Sequence, residues 1–570
     1  MSIIGLKSAN CKNCYKCVKV CPVKSIKVAN AQAQIMERSC VLCGTCLEQC
    51  PQNAKTVTSD VALVREFIKR GGRVVLSVAP SYYSSFTFDN AAQFAGAVRA
   101  LGFYGVSETS MGAAYVTAEY HRLLKENEMK NIVTTCCPSV NRMAELYFPS
   151  LVEELAPVVS PMIAHARLLK QSCGQGTRVV FAGPCLAKLD EAADIRHNND
   201  VDAVITFEDL AAWFQEEQID IGSAQPASFL NPSSKILRMY PVADGILESL
   251  RAKGDTSDWR LFSVSGSQEC MELFRAMERG ELEHCFVEMN MCAGGCVNGP
   301  VSLKDAVSRF SSSVKVRGYA KSDCESYPDL PDNVPMEMRF VDRSPKEEIP
   351  DEPTIRAILS KIGKETAADE LNCGSCGYPT CRDKAIAVYQ GKAELTMCMP
   401  YMKERAESLS NYVLTETPNI TVIVDRELNI IEFNAAAERA FHMTRREALQ
   451  KCLYEVIDAS DFQYVFESGT SISDKKVSYK EYGISTMQSI VYIAKENIAM
   501  GIFKDITREE AELESKYRLR NETVEMAQKV IDKQMIAAQQ IASLLGETTA
   551  ETKVTLTRLK NLIVLDEERP

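Results

Sequence analysis

The chain has 570 residues, too many for one hydrophobic core, and a prior of about one domain per 100 to 200 residues predicts several units. Its composition, 46% hydrophobic and 25% charged, is ordinary for globular protein and argues against broad disorder. The formal net charge of -11 disfavours a nucleic-acid partner, because phosphate binding depends on clustered Lys and Arg. The sequence contains neither a long apolar span nor a signal sequence, so we expect a cytoplasmic protein without a membrane partner.

Cysteines are the main clue to function, since 22 thiols in a reducing compartment favour metal thiolates over disulfides. Within residues 1–56 the pattern Cys-x2-Cys-x2-Cys-x3-Cys-Pro occurs twice. This is the bacterial two-cluster ferredoxin pattern, in which the fourth Cys of each run binds the other cluster. We therefore predict two 4Fe-4S clusters, one held by Cys11, Cys14, Cys17 and Cys50 and the other by Cys40, Cys43, Cys46 and Cys21. Two zinc knuckles are the alternative, but eight thiolates exceed what a zinc ribbon uses.

Residues 61–325 have the pattern of an α/β domain. Apolar runs at 73–79, 131–135 and 178–182 predict buried strands, and 91–101 predicts a helix between the first two. Strands that alternate with helices indicate a largely parallel sheet, whose functional sites gather at the carboxyl ends of the strands.

Two adjacent thiols, Cys136 and Cys137, follow the second of these strands. Neighbouring side chains on an extended chain point in opposite directions, so the pair should not easily bind one metal together. One thiol of the pair would combine with Cys185, Cys292 and Cys296 to give four ligands, enough for a third cubane. The step Gly294–Gly295 lets the chain fold tightly around such a group.

Three segments carry a resemblance to a known family. They are Thr134-Thr-Cys-Cys-Pro138, Pro184-Cys-Leu-Ala-Lys188-Leu-Asp-Glu191 and Glu288-Met-Asn-Met-Cys292-Ala-Gly-Gly-Cys296. Behind a ferredoxin module and in this order, they resemble the signatures of the iron-iron hydrogenases, and the resemblance covers about residues 1–320.

The resemblance implies an active-site 4Fe-4S cluster joined to a diiron subcluster with CO, cyanide and a bridging dithiolate. Its ligands would be Cys137, Cys185, Cys292 and Cys296, with Cys296 as the bridge. Cys136, Lys188 and Ser81 would be the catalytic residues: Cys136 carries the proton, Lys188 contacts one cyanide, and the Pro80–Ser81 turn offers hydrogen bonds to the other. The alternative for Cys136 is a small buried hydrophobe.

Departures from the family pattern concern the cofactor pocket and the proton path. Gly183 and Asn290 stand where many members have methionines that pack on the diiron unit. Tyr120 and Leu123 replace two glutamates of the proton path, and Ala156 replaces a serine. Since Leu and Ala have no exchangeable proton, we expect slow turnover with an intact cofactor. The candidate substitutes for the lost carriers are Glu119, His121 and His165.

Residues 326–352 are rich in Pro and acidic groups without a sustained period, which predicts an ordered-to-loose linker. In residues 353–404, the spacing of Cys373, Cys376, Cys381 and Cys398 resembles a small 4Fe-4S domain of electron-transfer subunits, with zinc as the alternative.

The last part of the chain has few cysteines. Residues 408–508 resemble a PAS domain, a small α/β signalling module, with a hairpin at 421–433, an N-cap at Asn434 and later strands at 486–493 and 498–504. Within the helical tail at 509–570, positions 513 to 545 carry mostly apolar side chains in alternating steps of four and three, which predicts a coiled coil or, alternatively, an amphipathic helix folded back on its own chain. Gly546 then predicts a break in the helix, and 551–562 predicts one more helix.

Together these features favour a hydrogen-sensing iron-iron hydrogenase that oxidises H2 slowly and reversibly, with four 4Fe-4S clusters and a diiron unit. The expected partners are H2 and protons, a ferredoxin-like redox protein, a second copy through the PAS domain and coil, and a downstream signalling protein. The alternatives are a metabolic ferredoxin-linked hydrogenase and an Fe-S electron-transfer or assembly protein that lacks the diiron unit.

Overall fold

A computed structural model describes residues 3–231, 234–303, 308–321, 330, 334–545 and 549–565. The chain divides into two compact units, residues 1–402 and 403–570. Within the described residues, no helix combines the length and apolar character needed to cross a membrane.

The N-terminal region is small and built around its cysteines. Its elements are β1 (Ile4–Leu6), α1 (Lys16–Val20), β2 (Ile26–Ala29), β3 (Gln32–Ile35), α2 (Thr45–Glu48) and β4 (Lys55–Val57). Strands β1 and β4 pair antiparallel, as do β2 and β3. The apolar cluster of this region is small, and four of its ten buried members are thiols, packed with aliphatic residues such as Val18, Ile26 and Val28.

The central region is an α/β fold whose strands are parallel, as predicted, but they form two sheets. Its elements in chain order are α3 (Val61–Lys69), β5 (Val74–Val78), α4 (Tyr82–Ser85), α5 (Ala91–Ala100), β6 (Gly105–Glu108), α6 (Ser110–Glu126), β7 (Ile132–Val133), α7 (Pro138–Tyr147), α8 (Pro161–Cys173), β8 (Arg178–Gly183), α9 (Ala187–Ala192), β9 (Ala203–Thr206), α10 (Phe207–Glu216), α11 (Gly245–Lys253), β10 (Arg260–Ser265), α12 (Ser267–Glu278), β11 (Cys285–Asn290) and α13 (Arg309–Lys321). One sheet has the order β6-β5-β8-β9 and the other β10-β11-β7.

Local sequence explains where several of these elements begin. Strand β5 is buried at all five positions, as expected for a strand covered on both faces. Asn90 caps α5 through its side chain, with Gln93 completing a capping box, and Thr206 and Asp209 do the same for α10.

Residues 326–352 were predicted to be a linker, and this prediction is wrong for residues 334–343, which pack on the central fold. Val334, Met336 and Met338 are buried in the main core at every second position, the spacing of an extended chain with one face inward. Its backbone pairs with residues 157–159: Val159 N donates to Met336 O at 2.8 Å, and Met338 N donates to Pro157 O at 3.1 Å. The period of two was hidden by the prolines around it. We call residues 334–343 the strap.

Two short helices follow the strap, α14 (Glu352–Ser360) and α15 (Cys381–Tyr389), and then α16 (Met399–Glu416) begins. Thr380 caps α15 with Asp383 in a capping box, so Cys381 lies at the first helical position. The four-Cys segment therefore belongs to the first compact unit.

In the second unit, an antiparallel sheet has the order β13-β12-β16-β15-β14. Its strands are β12 (Ile420–Val424), β13 (Ile430–Phe433), β14 (Ile472–Tyr479), β15 (Ile484–Ile493) and β16 (Ile498–Asp505), and its helices are α17 (Ala435–Phe441), α18 (Arg445–Ala448) and α19 (Ser460–Ser468). The predicted hairpin and the Asn434 cap are confirmed: Asn434 Oδ1 accepts from Ala437 N at 2.9 Å.

Two long helices end the described chain, α20 (Thr507–Leu545) and α21 (Thr549–Leu565). The predicted break at Gly546 lies outside the described residues. Helix α21 packs on α20, because Leu556 and Leu559 share an apolar cavity with Val524, Ala527 and Ile531. Part of the C-terminal helical segment thus folds back on its own chain, while Leu513, Tyr517 and Ile541 of α20 remain exposed.

Candidate active site and metal centres

A largely apolar cavity of about 100 Å³ lies where the parallel strands of both sheets end. Strand β5 leads to Ala79–Ser81, β6 to Thr109, β7 to the Cys136–Cys137 pair, β8 to Pro184–Cys185 and β11 to Asn290–Cys292. The predicted location at the carboxyl ends of parallel strands is thus confirmed, and it draws on two sheets.

Four of the predicted ligands face this cavity together: Cys137, Cys185, Cys292 and Cys296. Burial raises the pKa of Cys292 well above its ordinary value, and the nearby thiols of Cys185, Cys296 and Cys137 raise it further. Burial likewise raises the pKa of Cys185 to about 11, again with Cys137 nearby. Crowded, desolvated thiols resist ionisation unless a cation binds them, which is the environment in which a metal cluster supplies the missing charge. The donor set therefore fits a four-thiolate cluster.

The turn at Gly294–Gly295 brings the last two thiols together, as predicted. Gly295 has φ of 92°, and a Cβ there would lie 2.5 Å from Pro241 O. A larger residue would push Cys296 away from the cavity.

Cys136 has different surroundings from its neighbour. Its sulfur lies 3.3 Å from the hydroxyl of Tyr120, whose oxygen accepts from Thr135 N at 2.9 Å. The hydroxyl proton of Tyr120 can go either to Cys136 or to Thr135 Oγ1 at 3.4 Å. Burial raises the pKa of Cys136 to about 12, so the free thiol stays protonated at neutral pH.

Tyr120, which stands where the resemblance expects a glutamate, reaches Cys136. Leu123 and Ala156 are buried and apolar, and Thr135 Oγ1 donates to Val158 O at 2.8 Å, which ends the hydrogen-bonded path at a backbone carbonyl. A first carrier is therefore present, but among the described residues the path beyond it ends at the Thr135 hydroxyl, whose proton goes to a backbone carbonyl that cannot pass it on.

The three candidate substitutes differ in their connection to the cavity. Glu119 pairs with Arg122 at 2.8 Å at the surface, and the His121 ring lies beside Gly254. His165 is buried between Ser77 at 2.7 Å and Ser107 at 3.0 Å.

Only His165 has a described hydrogen-bonded link to the cavity, because Ser77 bonds Thr109 at 2.8 Å and Thr109 lines the cavity. Burial lowers the pKa of His165 to about 3, so the ring is neutral at physiological pH.

Lys188 lines the cavity, but its ammonium already has three protein acceptors. Nζ donates to Glu191 at 2.6 Å, to Ser160 Oγ at 2.8 Å and to Cys136 O at 3.2 Å. Burial alone would lower the pKa of Lys188, but Glu191 more than offsets this and the pKa is raised. The group therefore brings a fixed positive charge to the cavity wall, with its three donors engaged.

Pro80 and Ser81 line the cavity at the start of α4, as predicted for a turn that faces the cofactor. Ser81 Oγ is buried and has no hydrogen-bond partner among the described residues. A buried hydroxyl without a partner is costly, and an acceptor in the cavity would satisfy it. This is an independent sign that the cavity is shaped for a ligand with a hydrogen-bond acceptor.

The two positions that replace methionines differ from each other. Asn290 lines the cavity and donates from Nδ2 to Glu288 at 3.0 Å. Gly183 is not among the residues that line the cavity, because the Phe181 ring occupies the adjacent space, 2.6 Å from where a Cβ would stand, and its role in binding the cofactor stays a prediction. Phe181 is a cavity residue that the sequence did not indicate.

Glu288 has a positioning role that the motif alone does not explain. Its carboxylate accepts from Ile246 N at 2.9 Å and Leu247 N at 3.1 Å, at the start of α11. Burial raises its pKa to about 7. Further cavity residues missed by sequence are Met162, Tyr240 and Ile246, which carry no motif of their own.

The ferredoxin thiols show part of the predicted arrangement, in which the fourth Cys of each run binds the cluster of the other run. Burial raises the pKa of Cys46, and Cys43, Cys40 and Cys21 raise it further, so the fourth Cys of the first run lies with the second run. Burial also raises the pKa of Cys17, and the nearby thiols of Cys11 and Cys14 contribute to the increase. Cys50 Sγ accepts from Ala54 N at 3.3 Å, and its membership of the first set stays a prediction.

The second ferredoxin set lies beside the cavity. Cys43 is one of the cavity-lining residues, and Arg142 of α7 donates to Cys40 O at 3.0 Å. At Gly44, with φ of 76°, a Cβ would lie 2.3 Å from Pro300 Cβ, so only glycine allows this close approach.

In the four-Cys segment, Cys376, Cys381 and Cys398 all lie near the buried Lys384. Together with Cys373 they line a cavity of about 20 Å³. Among the described residues of the chain, no three His, Cys, Asp or Glu side chains are close enough to share one metal ion. A group of several irons, which is wider than a single ion, stays the prediction for each thiol set.

Family models match three parts of the chain. Residues 72–300 match "Iron only hydrogenase large subunit, C-terminal domain", residues 3–51 match "4Fe-4S dicluster domain" and residues 369–400 match "Putative Fe-S cluster". The chain therefore contains an iron-hydrogenase-like domain together with ferredoxin-type Fe-S domains.

Two curated relatives are named as hydrogenases, and both have low sequence identity to this chain. The NADP-reducing hydrogenase subunit HndD of Solidesulfovibrio fructosivorans is 25% identical over 47% of this chain and 56% of its own length. Iron hydrogenase 1 of Clostridium pasteurianum is 26% identical over 40% of this chain and 49% of its own length. The chain thus spans about half the length of these relatives.

Solved structures of two kinds are also similar to parts of the chain. A variant of the FeFe-hydrogenase HydA1 from Chlamydomonas reinhardtii is 17% identical, with a TM-score of 0.43, over 50% of this chain and 100% of that chain. The PAS domain of an HTR-like protein from Haloarcula marismortui is 18% identical, with a TM-score of 0.16, over 19% of this chain and 97% of that chain.

Proposed function

We propose that the protein is an iron-iron hydrogenase with slow turnover, which senses H2 or redox state. The observation that carries this proposal is the convergence of Cys137, Cys185, Cys292 and Cys296 on one cavity, with the protonated thiol of Cys136 beside them. The family model over residues 72–300 supports the same chemistry.

The diiron group, when bound, would supply reversible conversion of H2 to protons and electrons. The residues of this chain then have separate tasks. Cys137, Cys185, Cys292 and Cys296 would hold the cluster. Ser81 Oγ offers a hydrogen bond to a cyanide, and Lys188 contributes positive charge.

Cys136 accepts or delivers the proton at its sulfur, and Tyr120 is the next hydroxyl along the path. Slow turnover follows from what lies beyond Tyr120. A relay needs consecutive groups that can both accept and donate a proton, and Leu123 and Ala156 can do neither. The neutral His165, linked through Ser77 and Thr109, is the best-connected substitute, but its low pKa makes it a poor proton acceptor.

The sensory role rests on the second unit, which we interpret as a PAS domain followed by a signalling helix pair. Its five antiparallel strands have the order β13-β12-β16-β15-β14, with three helices between the second and third strands in sequence. Exposed apolar side chains on α20 offer a surface for a second copy or a downstream signalling protein. A ferredoxin-like protein would exchange electrons with the Fe-S clusters.

Infrared spectroscopy of the matured full chain, under H2 and under inert gas, tests the proposal. We expect CO and cyanide bands that shift with the gas, together with dye-reduction rates far below those of metabolic hydrogenases. Cys137→Ala should remove the bands, whereas Cys136→Ala should keep them.

Two other outcomes would point to other functions. Turnover comparable to metabolic enzymes would contradict the sensor and favour a ferredoxin-linked hydrogenase. Absence of the CO and cyanide bands after maturation would contradict both hydrogenase assignments and leave an Fe-S electron-transfer or assembly protein.

A further inference from the structure

The four-Cys segment docks directly on the ferredoxin region, at two places. At Gly377, with φ of 94°, a Cβ would lie 2.9 Å from Val18 Cγ1 and 3.0 Å from Lys19 N of α1. On the other side, Val28 N donates to Lys392 O at 3.0 Å. Asn30 N donates to Glu394 Oε1 at 2.9 Å. Backbone and side-chain contacts thus fix the position of this segment relative to the N-terminal thiols.

Tyr378 lies at the centre of this contact. It is only 4% exposed and packs in the same apolar cluster as Cys21, Cys46 and Cys376. Cys21 belongs with the second ferredoxin set and Cys376 with the four-Cys set, so the ring lies between two predicted clusters. Both thiols are near enough to raise the pKa of Tyr378 beyond the effect of burial.

The hydroxyl of Tyr378 has no hydrogen-bond partner among the described residues, although it is buried. Such a donor is rarely left unsatisfied in a folded protein. The side chain also lines the small cavity formed by Cys373, Cys376, Cys381 and Cys398. A cluster bound in this cavity would supply a sulfur atom as the acceptor for the Tyr378 hydroxyl.

The second ferredoxin set also adjoins the active-site cavity, since Cys43 lines it. The set of Cys21, Cys40, Cys43 and Cys46 therefore has the hydrogenase-like cavity on one side and the four-Cys segment on the other. The first ferredoxin set is more open to solvent, because Cys14 is exposed.

We propose that the Cys21, Cys40, Cys43 and Cys46 cluster is a junction that passes electrons between the active site and the four-Cys cluster, and that Tyr378 donates a hydrogen bond to the four-Cys cluster at this contact. In each step one cluster is oxidised by one electron and its neighbour is reduced by one, and no bond between heavy atoms changes. The inference rests on the Fe-S part of the proposed function and does not require H2 turnover. A hydrogen bond to a cluster sulfur raises the reduction potential, so Tyr378 tunes the cluster whose sulfur it contacts.

Electron paramagnetic resonance of the full chain, reconstituted with iron and sulfide alone, tests this inference. In the reduced protein we expect broadening or splitting from magnetic interaction between the junction and the four-Cys cluster. Cys381→Ala should remove the four-Cys cluster and also sharpen the signal of the junction. An unchanged junction signal in this variant would contradict the proposed contact.

Tyr378→Phe gives a second readout that does not depend on loss of a cluster. We expect unchanged iron content and a lower midpoint potential for the four-Cys cluster in a redox titration. Tyr389→Phe, which alters an exposed tyrosine of α15, is the matched control and should leave the potential unchanged. Equal potentials in Tyr378→Phe and the wild type would overturn the role of the hydroxyl. Because no diiron group is added, failure here is distinct from failure of the H2 chemistry, which the infrared bands report.

Discussion

At the scale of single residues, the adjacent thiols differ because their neighbours differ. Cys137 points to three other thiols, whereas the sulfur of Cys136 contacts the hydroxyl of Tyr120 at 3.3 Å. Tyrosine in place of a carboxylate keeps one exchangeable proton, but burial raises its pKa well above the ordinary value. It can pass a proton in a concerted exchange, but it cannot store a charge as a glutamate can.

The first prediction concerns this pair. Tyr120→Phe should retain the infrared bands and lower the residual turnover. Among the described residues, the Tyr120 hydroxyl is the only one that contacts the Cys136 sulfur, and this substitution removes it. If both groups lie on one path, the double variant with Cys136→Ala should be no slower than Cys136→Ala alone. Dye-reduction rates of the matured variants measure this.

The matched control is Tyr104→Phe, which removes the hydroxyl of an exposed tyrosine of the central region. It should leave turnover unchanged. Additive losses in the double variant would show that Tyr120 and Cys136 act separately.

The second prediction concerns His165 and acid stability. Its pKa is about 3 in the folded chain, below the ordinary value of 6.5, so between these values the unfolded chain binds a proton that the folded chain does not. Stability should therefore fall as the pH is lowered from 6.5, by at most about 1.4 kcal/mol per pH unit from this residue. His165→Gln, which does not titrate, should show a shallower dependence.

Thermal unfolding of both proteins between pH 7.5 and 5.5 measures this difference. Comparing slopes cancels the acid sensitivity that Fe-S clusters share in the two proteins. Parallel curves would mean that His165 is already protonated in the folded state or accessible to solvent.

At the scale of elements, the strap shows where sequence patterns mislead. Its alternating Val334, Met336 and Met338 form an inward face, but frequent prolines and charges around them suggested a linker. Strands β5, β7 and β8 of the central region were predicted, because each is a short apolar run that precedes a motif residue, whereas β6, β9, β10 and β11 were not predicted. The division of these strands into two sheets was also not predicted, because pairing depends on contacts distant in sequence, such as Phe286 with Ile132.

The third prediction measures how much the strap stabilises the central region. Met336→Ala should lower the free energy of unfolding by about 2 to 4 kcal/mol, since it leaves a cavity in the main core. Urea denaturation followed by tryptophan fluorescence reports this, because both tryptophans, Trp213 and Trp259, are buried in the central region.

Glu337→Ala is the control for this measurement. Its side chain is exposed on the same strap, so its effect should stay within about 0.5 kcal/mol. Equal effects of the two substitutions would mean that the strap does not contribute to the core.

At the scale of the whole molecule, cysteine spacing predicted more than hydrophobic pattern did. The positions of the thiols indicated three kinds of metal centre, and the described structure brings most members of each set together. Spacing could not show Phe181, Met162 or Tyr240 at the cavity, because these residues arrive from elements whose packing only the fold determines. Nor could it place the four-Cys segment on the ferredoxin region, since Gly377 and Val18 are far apart in sequence.

The last prediction follows from the difference between the N-terminal region and the second compact unit. Four of the ten buried members of the N-terminal apolar cluster are thiols, whereas the core of residues 420–503 is built from aliphatic and aromatic side chains such as Val422, Phe433 and Phe503. A region with so small an apolar core depends on its metal for folding. Removal of iron with a chelator should therefore abolish hydrogen-exchange protection in residues 3–58 and 373–398 and leave it in the sheet β12–β16. The sheet serves as an internal control in the same sample, and retained protection at β2 and β3 after complete iron removal would show that this region folds without metal.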